Sequence, residues 1–272
     1  MQGLLHNSLA GQVHISTAAM SSATPKVHSI IKQQFTVYET DIFLASFPRS
    51  GTTWARFLIA NLLVPQTVIS FRNIEDYVFS WNKDWRDLAM YRHPRVMKSH
   101  WTAFDNFPRF VYFVRDGRDV MVSLYNAIRT LKEPSLTFSE FLDRQLVSRQ
   151  PTIGRWHEHV ELAIKVCRFR PPTDYLVLQF ERIVTNPMQQ ARKLANFCGI
   201  RFTEEELQIA VEKCNFANLQ AVERQFGPEN LQAPYTFFRQ GTFGQWKSVF
   251  SEADLKLFNS VAGDTNKKLG YV

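Results

Sequence analysis

Sulfur chemistry is scarce here: 272 residues contain three cysteines, Cys167, Cys198 and Cys214, far apart and with neither CxxC spacing nor paired histidines. That excludes a disulfide framework and a thiolate zinc site and fits reduced thiols. A long apolar run is also missing, since Phe57 to Val64 is short and interrupted by Asn61, so no membrane span is expected. The first 38 positions carry no acid and no arginine. Rich in Ser, Thr, Ala, Gln and His, they read as a flexible extension over residues 1–38. The absence of a basic start, and a first apolar stretch broken by His6, Asn7 and Gln12, argue against a secretory signal. The expectation is a soluble, cytoplasmic protein with one domain over residues 39–272. No internal repeat is present.

The composition is 45% apolar and 14% aromatic, with a formal charge of +7, which favours an anionic ligand. The basic residues are scattered among acids in turn contexts rather than drawn into a stripe, so nucleic acid is not expected as a partner. Short apolar runs at Ile42 to Ala45, Arg95 to Met97, Phe110 to Val114 and Tyr175 to Leu178 read as buried strands, and the segments after Thr52, Asp119 and Asn186 as helices. Such alternation predicts an α/β fold, a central parallel sheet flanked by helices in three layers. Asn186-Pro187 supplies an N-cap and a proline at the first helical position, and Thr203 with Glu206 forms a capping box. Between Gln225 and Gly244, Gly227, Pro228, Pro234, Gly241 and Gly244 stand among aromatics, the composition of an irregular loop that serves as a lid.

Three stretches point to anions. In Pro48-Arg49-Ser50-Gly51-Thr52-Thr53, a strand ends in a turn that opens a helix. Backbone N–H groups, hydroxyls and the positive helix end then converge on one point, suited to phosphate or sulfate. It is not a Walker A loop, because the spacing and its lysine are absent. In Phe110 to Ser123, Arg115 falls at a strand's C-terminal end and Ser123 in the next helix, so both can converge on a second phosphate at the carboxyl edge of the sheet. In Arg239-Gln240-Gly241, an arginine precedes a glycine turn that can wrap a phosphate.

With these motifs in this order, the chain resembles the cytosolic-type sulfotransferases that use 3′-phosphoadenosine 5′-phosphosulfate (PAPS) and release adenosine 3′,5′-bisphosphate (PAP). The likeness runs from about Phe43 to Trp246. It implies the P-loop-like α/β fold of that family. Arg49, Ser50, Gly51, Thr52 and Thr53 would hold the 5′-phosphosulfate, and Arg115, Ser123, Arg239, Gln240 and Gly241 the 3′-phosphate. Trp54 and Phe216 would pack on adenine. Lys98-Ser99-His100 resembles the catalytic strand end, with His100 as base and Lys98 beside it, and no metal is required.

Several positions depart from the family pattern. Arg49 and Gln240 replace lysines, Cys214 a threonine, Phe180 a tyrosine and Trp101-Thr102 a Leu-Pro pair, while Ser251-Glu252 and Lys256 break the family's short dimer motif. Aromatics at 71, 77, 79, 81, 85, 91, 101, 104, 235, 237 and 238 crowd segments available to an acceptor. They suit a small hydrophobic alcohol or phenol, or a glycolipid, as acceptor. A P-loop-like nucleotide kinase and a catalytically impaired nucleotide-binding relative remain the alternatives.

Overall fold

A computed structural model describes residues 12–14, 36–80, 94–148, 154–229 and 236–272. Strand β1 (Gln12–His14) pairs antiparallel with β2 (Thr36–Tyr38); the rest of the stretch read as an extension lies outside the described residues, as do Trp81, Trp85, Tyr91, Tyr235 and the middle of the presumed lid. The main sheet contains β3 (Ile42–Ser46), β4 (Phe79–Ser80), β5 (Val96–Ser99), β6 (Arg109–Val114) and β7 (Tyr175–Gln179), all parallel, in the order β4-β5-β3-β6-β7. After β3 the chain therefore goes out to the edge at β4, returns to β5 between β4 and β3, and only then crosses to β6 and β7 on the other side. This topological switch leaves a crevice at the carboxyl ends of β5, β3 and β6, where ligands of open α/β sheets bind.

The period of two in β3 and β6 makes the layers. Phe43, Ala45, Phe110, Tyr112 and Val114 face one buried cluster, and Ile42, Leu44, Val111 and Phe113 face the other. Onto the first pack α2 (Gly117–Leu131), α3 (Phe138–Leu146), α4 (Trp156–Arg168) and α9 (Glu252–Lys268), through Val120, Leu142, Val160 and Phe258 among others. The second receives α1 (Thr52–Leu63), α5 (Phe180–Thr185), α6 (Pro187–Phe197), α7 (Glu204–Lys213) and α8 (Phe216–Phe226). Each fully buried Phe, Ile or Leu contributes roughly 1.5–3 kcal/mol.

Element boundaries differ from expectation for local reasons. Strand β5 starts at Val96, because Arg95 turns its buried guanidinium onto the buried carboxylate of Asp41, Nε to Oδ1 at 2.9 Å. Helix α2 starts at Gly117, two residues ahead of Asp119, since the Asp116 carboxylate caps it by accepting from the N–H of Arg118 at 2.9 Å. Asn186 precedes Pro187 as read, but its side chain makes no cap bond; the amide instead reaches Gln189 at 3.4 Å. The Thr203 and Glu206 capping box forms. Strand β4 spans two residues, too short for a periodic signal.

Candidate active site

Site geometry begins at the turn between β3 and α1. Its backbone is held left-handed twice, at Arg49 (φ +73°) and Gly51 (φ +108°). A Cβ on Gly51 would lie 3.1 Å from the Phe180 ring. Gly51 is the N-cap residue of α1 and offers no side-chain cap. The first-turn N–H groups of a long helix therefore face the crevice with the positive end of its dipole, and the Thr52 and Thr53 hydroxyls stand beside them. Thr52 Oγ1 lies 2.5 Å from Ser46 Oγ, which ties the turn to the strand.

From the end of β6, the buried Arg115 guanidinium reaches back across this turn. It donates to the carbonyls of Arg49 (3.2 Å) and Thr242 (3.0 Å) and lies over the Phe180 ring, 4.2 Å from its centroid. Its Nε is buried and, among the described residues, has no hydrogen-bond partner. Burial holds its pKa below the ordinary arginine value, opposed in part by Asp119, 3.9 Å away. A buried donor left open on a cation is a recognition element for an anion. Ser123, on the second turn of α2, accepts from Arg49 Nε at 2.9 Å, so the first two anion motifs meet in one hydrogen bond. Asp116 does not pair with Arg115; it holds Arg118 at 2.7 Å.

The third motif is latched on by Asp119, whose carboxylate accepts from the N–H groups of Gly244 (2.5 Å) and Trp246 (3.0 Å). That brings Arg239, Gln240 and Gly241 to the crevice, with Gly241 at φ +64° against the Phe216 ring; a Cβ there would sit 2.2 Å from a ring carbon. The Arg239 guanidinium is exposed and bonds Gln245 Oε1 at 2.5 Å.

At the end of β5 stand Lys98 and His100. His100 Nδ1 lies 2.8 Å from the carbonyl oxygen of Ser46, an acceptor only, so Nδ1 carries the proton and Nε2 keeps a free lone pair. Burial, then the neighbouring Lys98 charge, push its pKa down to about 3; the ring is neutral at pH 7. Lys98 sits 3.5 Å from Glu229, a carboxylate that also lies 3.9 Å from the buried Arg56.

These groups share one cavity of about 710 Å³. Arg49, Gly51, Thr52, Thr53, Trp54, Lys98, His100, Arg115, Ser123, Phe216, Arg239, Gln240 and Gly241 all line it. Ser50 is 1% exposed and is not part of the lining. Among the aromatics expected around an acceptor, Phe237 and Phe238 line the cavity, whereas Phe104 is wholly buried in the core. His159 is 1% exposed and hydrogen-bonded to the backbone of His100 at 3.3 Å, a polar role no local signal marks. Ser46 and Glu229 were also missed. Ser46 directly follows the apolar run that marked β3, so its place at a strand end was available; Glu229 carries no local signal.

The family model described as the sulfotransferase domain matches residues 39–270. Sulfotransferase 2A2 of Rattus norvegicus is 26% identical over 256 residues, covering 84% of this chain and 85% of that protein. Cytosolic sulfotransferase 3 of Arabidopsis thaliana is 29% identical over 231 residues, covering 79% and 73%. Among solved structures, retinol dehydratase in complex with androsterone and the inactive cofactor PAP aligns with a TM-score of 0.65 at 21% identity, over 86% of this chain and 87% of that one. Mouse sulfotransferase SULT7A1 complexed with PAP aligns at 0.63 and 20%, over 82% and 85%.

Proposed function

The chain belongs to the sulfotransferase domain family, and on that premise we propose that it transfers a sulfuryl group from PAPS to a hydroxyl of a small hydrophobic acceptor. The observation that carries this reading is the meeting of three anion-binding elements at one cavity, fastened by Arg49 to Ser123 and by Asp119 to Gly244. Two features suit a donor with separated anionic groups, an uncapped helix start and a buried arginine Nε with no partner among the described residues, and Gly241 lets its loop pack on the Phe216 ring.

In this reading the first turn of α1, with Thr52 and Thr53, cradles the 5′-phosphosulfate. Arg115, Ser123, Arg239 and Gly241 hold the 3′-phosphate, and Trp54 and Phe216 flank adenine. When bound, PAPS supplies an activated sulfuryl group whose departure leaves charge on the 5′-phosphate. Arg49 is a permanent cation placed to stabilise that charge, though as a guanidinium it gives hydrogen bonds and not a proton. His100, neutral and with Nε2 bare, takes the proton of the acceptor hydroxyl, a role that contributes typically about 10²–10⁴-fold. Lys98 orients the reacting end. Of the departures from the family's usual residues, Gln240 in place of a lysine removes a cation and weakens the hold on the 3′-phosphate. An acceptor drawn from hydrophobic alcohols and phenols accords with Phe237 and Phe238 on the cavity wall, and androsterone, bound in the retinol dehydratase structure, is of that class.

Calorimetric titration of the purified chain with PAP, against ATP and AMP as controls, tests the donor. Binding of PAP well above both controls is expected. If ATP binds as tightly as PAP, the donor assignment fails and the kinase reading takes its place.

A further inference from the structure

His100 ends its strand: β5 stops at Ser99, and among the described residues no strand pairs with His100. A main-chain carbonyl set back from water is best satisfied by a donor. His159, one turn into α4 from the other face of the sheet, supplies it through Nε2 at 3.3 Å. Because that contact is with a carbonyl oxygen, Nε2 carries the proton and Nδ1 must accept; the hydroxyl of Tyr112, on β6, donates to it at 3.0 Å. The His159 ring is walled by aromatics, with Phe104 at 5.3 Å, Phe47 at 5.7 Å and Tyr112 stacked at 5.8 Å between centroids, and among the described residues its two nitrogens meet Tyr112 and the His100 carbonyl alone. The chain runs from Tyr112 to His159 to the backbone of His100, whose own ring is tethered to Ser46.

We propose that His159, its tautomer set by Tyr112, is a positioning residue for the reaction: it clamps the main chain of His100 so that Nε2 of that ring points into the donor cavity. The clamp acts through the backbone and moves no proton to the substrate. It rests on the reading of His100 as the base. Two tethers, one on the ring and one on the carbonyl, fix both the position and the rotation of the imidazole; with one removed, the ring swings about the other. Displacement of a reacting group by about 1 Å can cost roughly 10²-fold in rate.

His159→Phe keeps a flat ring in the aromatic cage and removes both nitrogens, whereas His159→Gln restores a donor near the Nε2 position. For His159→Phe, kcat should fall by roughly 10- to 100-fold while KM for PAPS and the affinity for PAP stay within about threefold, and His159→Gln should recover most of kcat. Tyr112→Phe should give a smaller loss with the same split. Nitrogen-15 NMR of histidine-labelled protein without nucleotide gives a readout free of turnover: His100 should hold its proton on Nδ1 in both proteins through Ser46, with sharp ring resonances in the parent and shifted, broadened ones in His159→Phe. Wild-type kcat and an unchanged His100 spectrum in that variant, with His100→Ala dead, would overturn the clamp and leave the base assignment standing. Turnover retained by His100→Ala would overturn both. Should His159→Phe fail to fold, the kcat and spectrum of Tyr112→Phe decide alone, an unchanged pair counting against the proposal.

Discussion

At Arg49 the backbone sits at φ +73°, a region whose occupation costs an L residue roughly 1–2 kcal/mol. Strain at a non-glycine residue persists when the surroundings demand it, and here they do: the side chain donates to Ser123 at 2.9 Å and lies over the Phe237 ring, 4.4 Å from its centroid, while the carbonyl accepts from Arg115. Arg49→Gly removes the strain but also a hydrogen bond and a cation–π contact, and it adds about 0.5–1 kcal/mol of backbone entropy loss. These terms nearly offset. The variant should therefore melt within a few degrees of the parent, while kcat falls by roughly 10²–10³, the usual loss when one donor to developing charge is deleted. A large fall in melting temperature with little change in kcat would show that Arg49 is a structural turn residue.

At the scale of elements, the sheet and the anion turns were legible because their signals are local. Four apolar runs gave four of the five parallel strands, and each phosphate motif lies at the end of one of them or in a glycine-bearing loop. What stayed hidden depends on distant parts of the chain. Asp119 reads as a helix-start acid, yet its carboxylate binds a loop 125 residues away. His159 lies beside Trp156 on α4 and reads as a surface or packing residue; only the meeting of α4 with the end of β5 shows its hydrogen bond to the His100 backbone. The loop that Asp119 holds offers a matched pair of tests. Gly241 (φ +64°) and Gly244 (φ +80°) are both left-handed, but a Cβ on the first strikes Phe216 at 2.2 Å and one on the second meets nothing within 4 Å. Gly244→Ala should cost only the backbone term, about 1–2 kcal/mol. Gly241→Ala should cost that and in addition displace Phe216, so its PAP affinity should fall well below that of Gly244→Ala in the same titration. Equal affinities would remove Phe216 from the adenine site.

For the whole molecule, the half-buried His100 and the buried His159 link the candidate site to acid stability. Burial holds His100 at about 3, helped by the Lys98 charge and more weakly by His159 and Arg56, and holds His159 at about 4. Both titrate near 6.5 once unfolded. Between these values the unfolded chain binds more protons than the folded one, so stability rises with pH in that window. Each group's contribution is whole above about pH 6.5 and drains away as the pH falls toward 3 or 4. A melting-temperature series from pH 8 to 4 should thus be flat at the upper end and slope downward below about 6.5. His159→Gln, which has no proton to gain on unfolding, should flatten that slope while keeping the amide donor to the His100 carbonyl. On the proposed reading, the ring that takes the acceptor's proton and the ring that holds its backbone are then both groups that make the fold acid-labile, and a slope identical in parent and variant would mean that His159 is not held neutral by its burial.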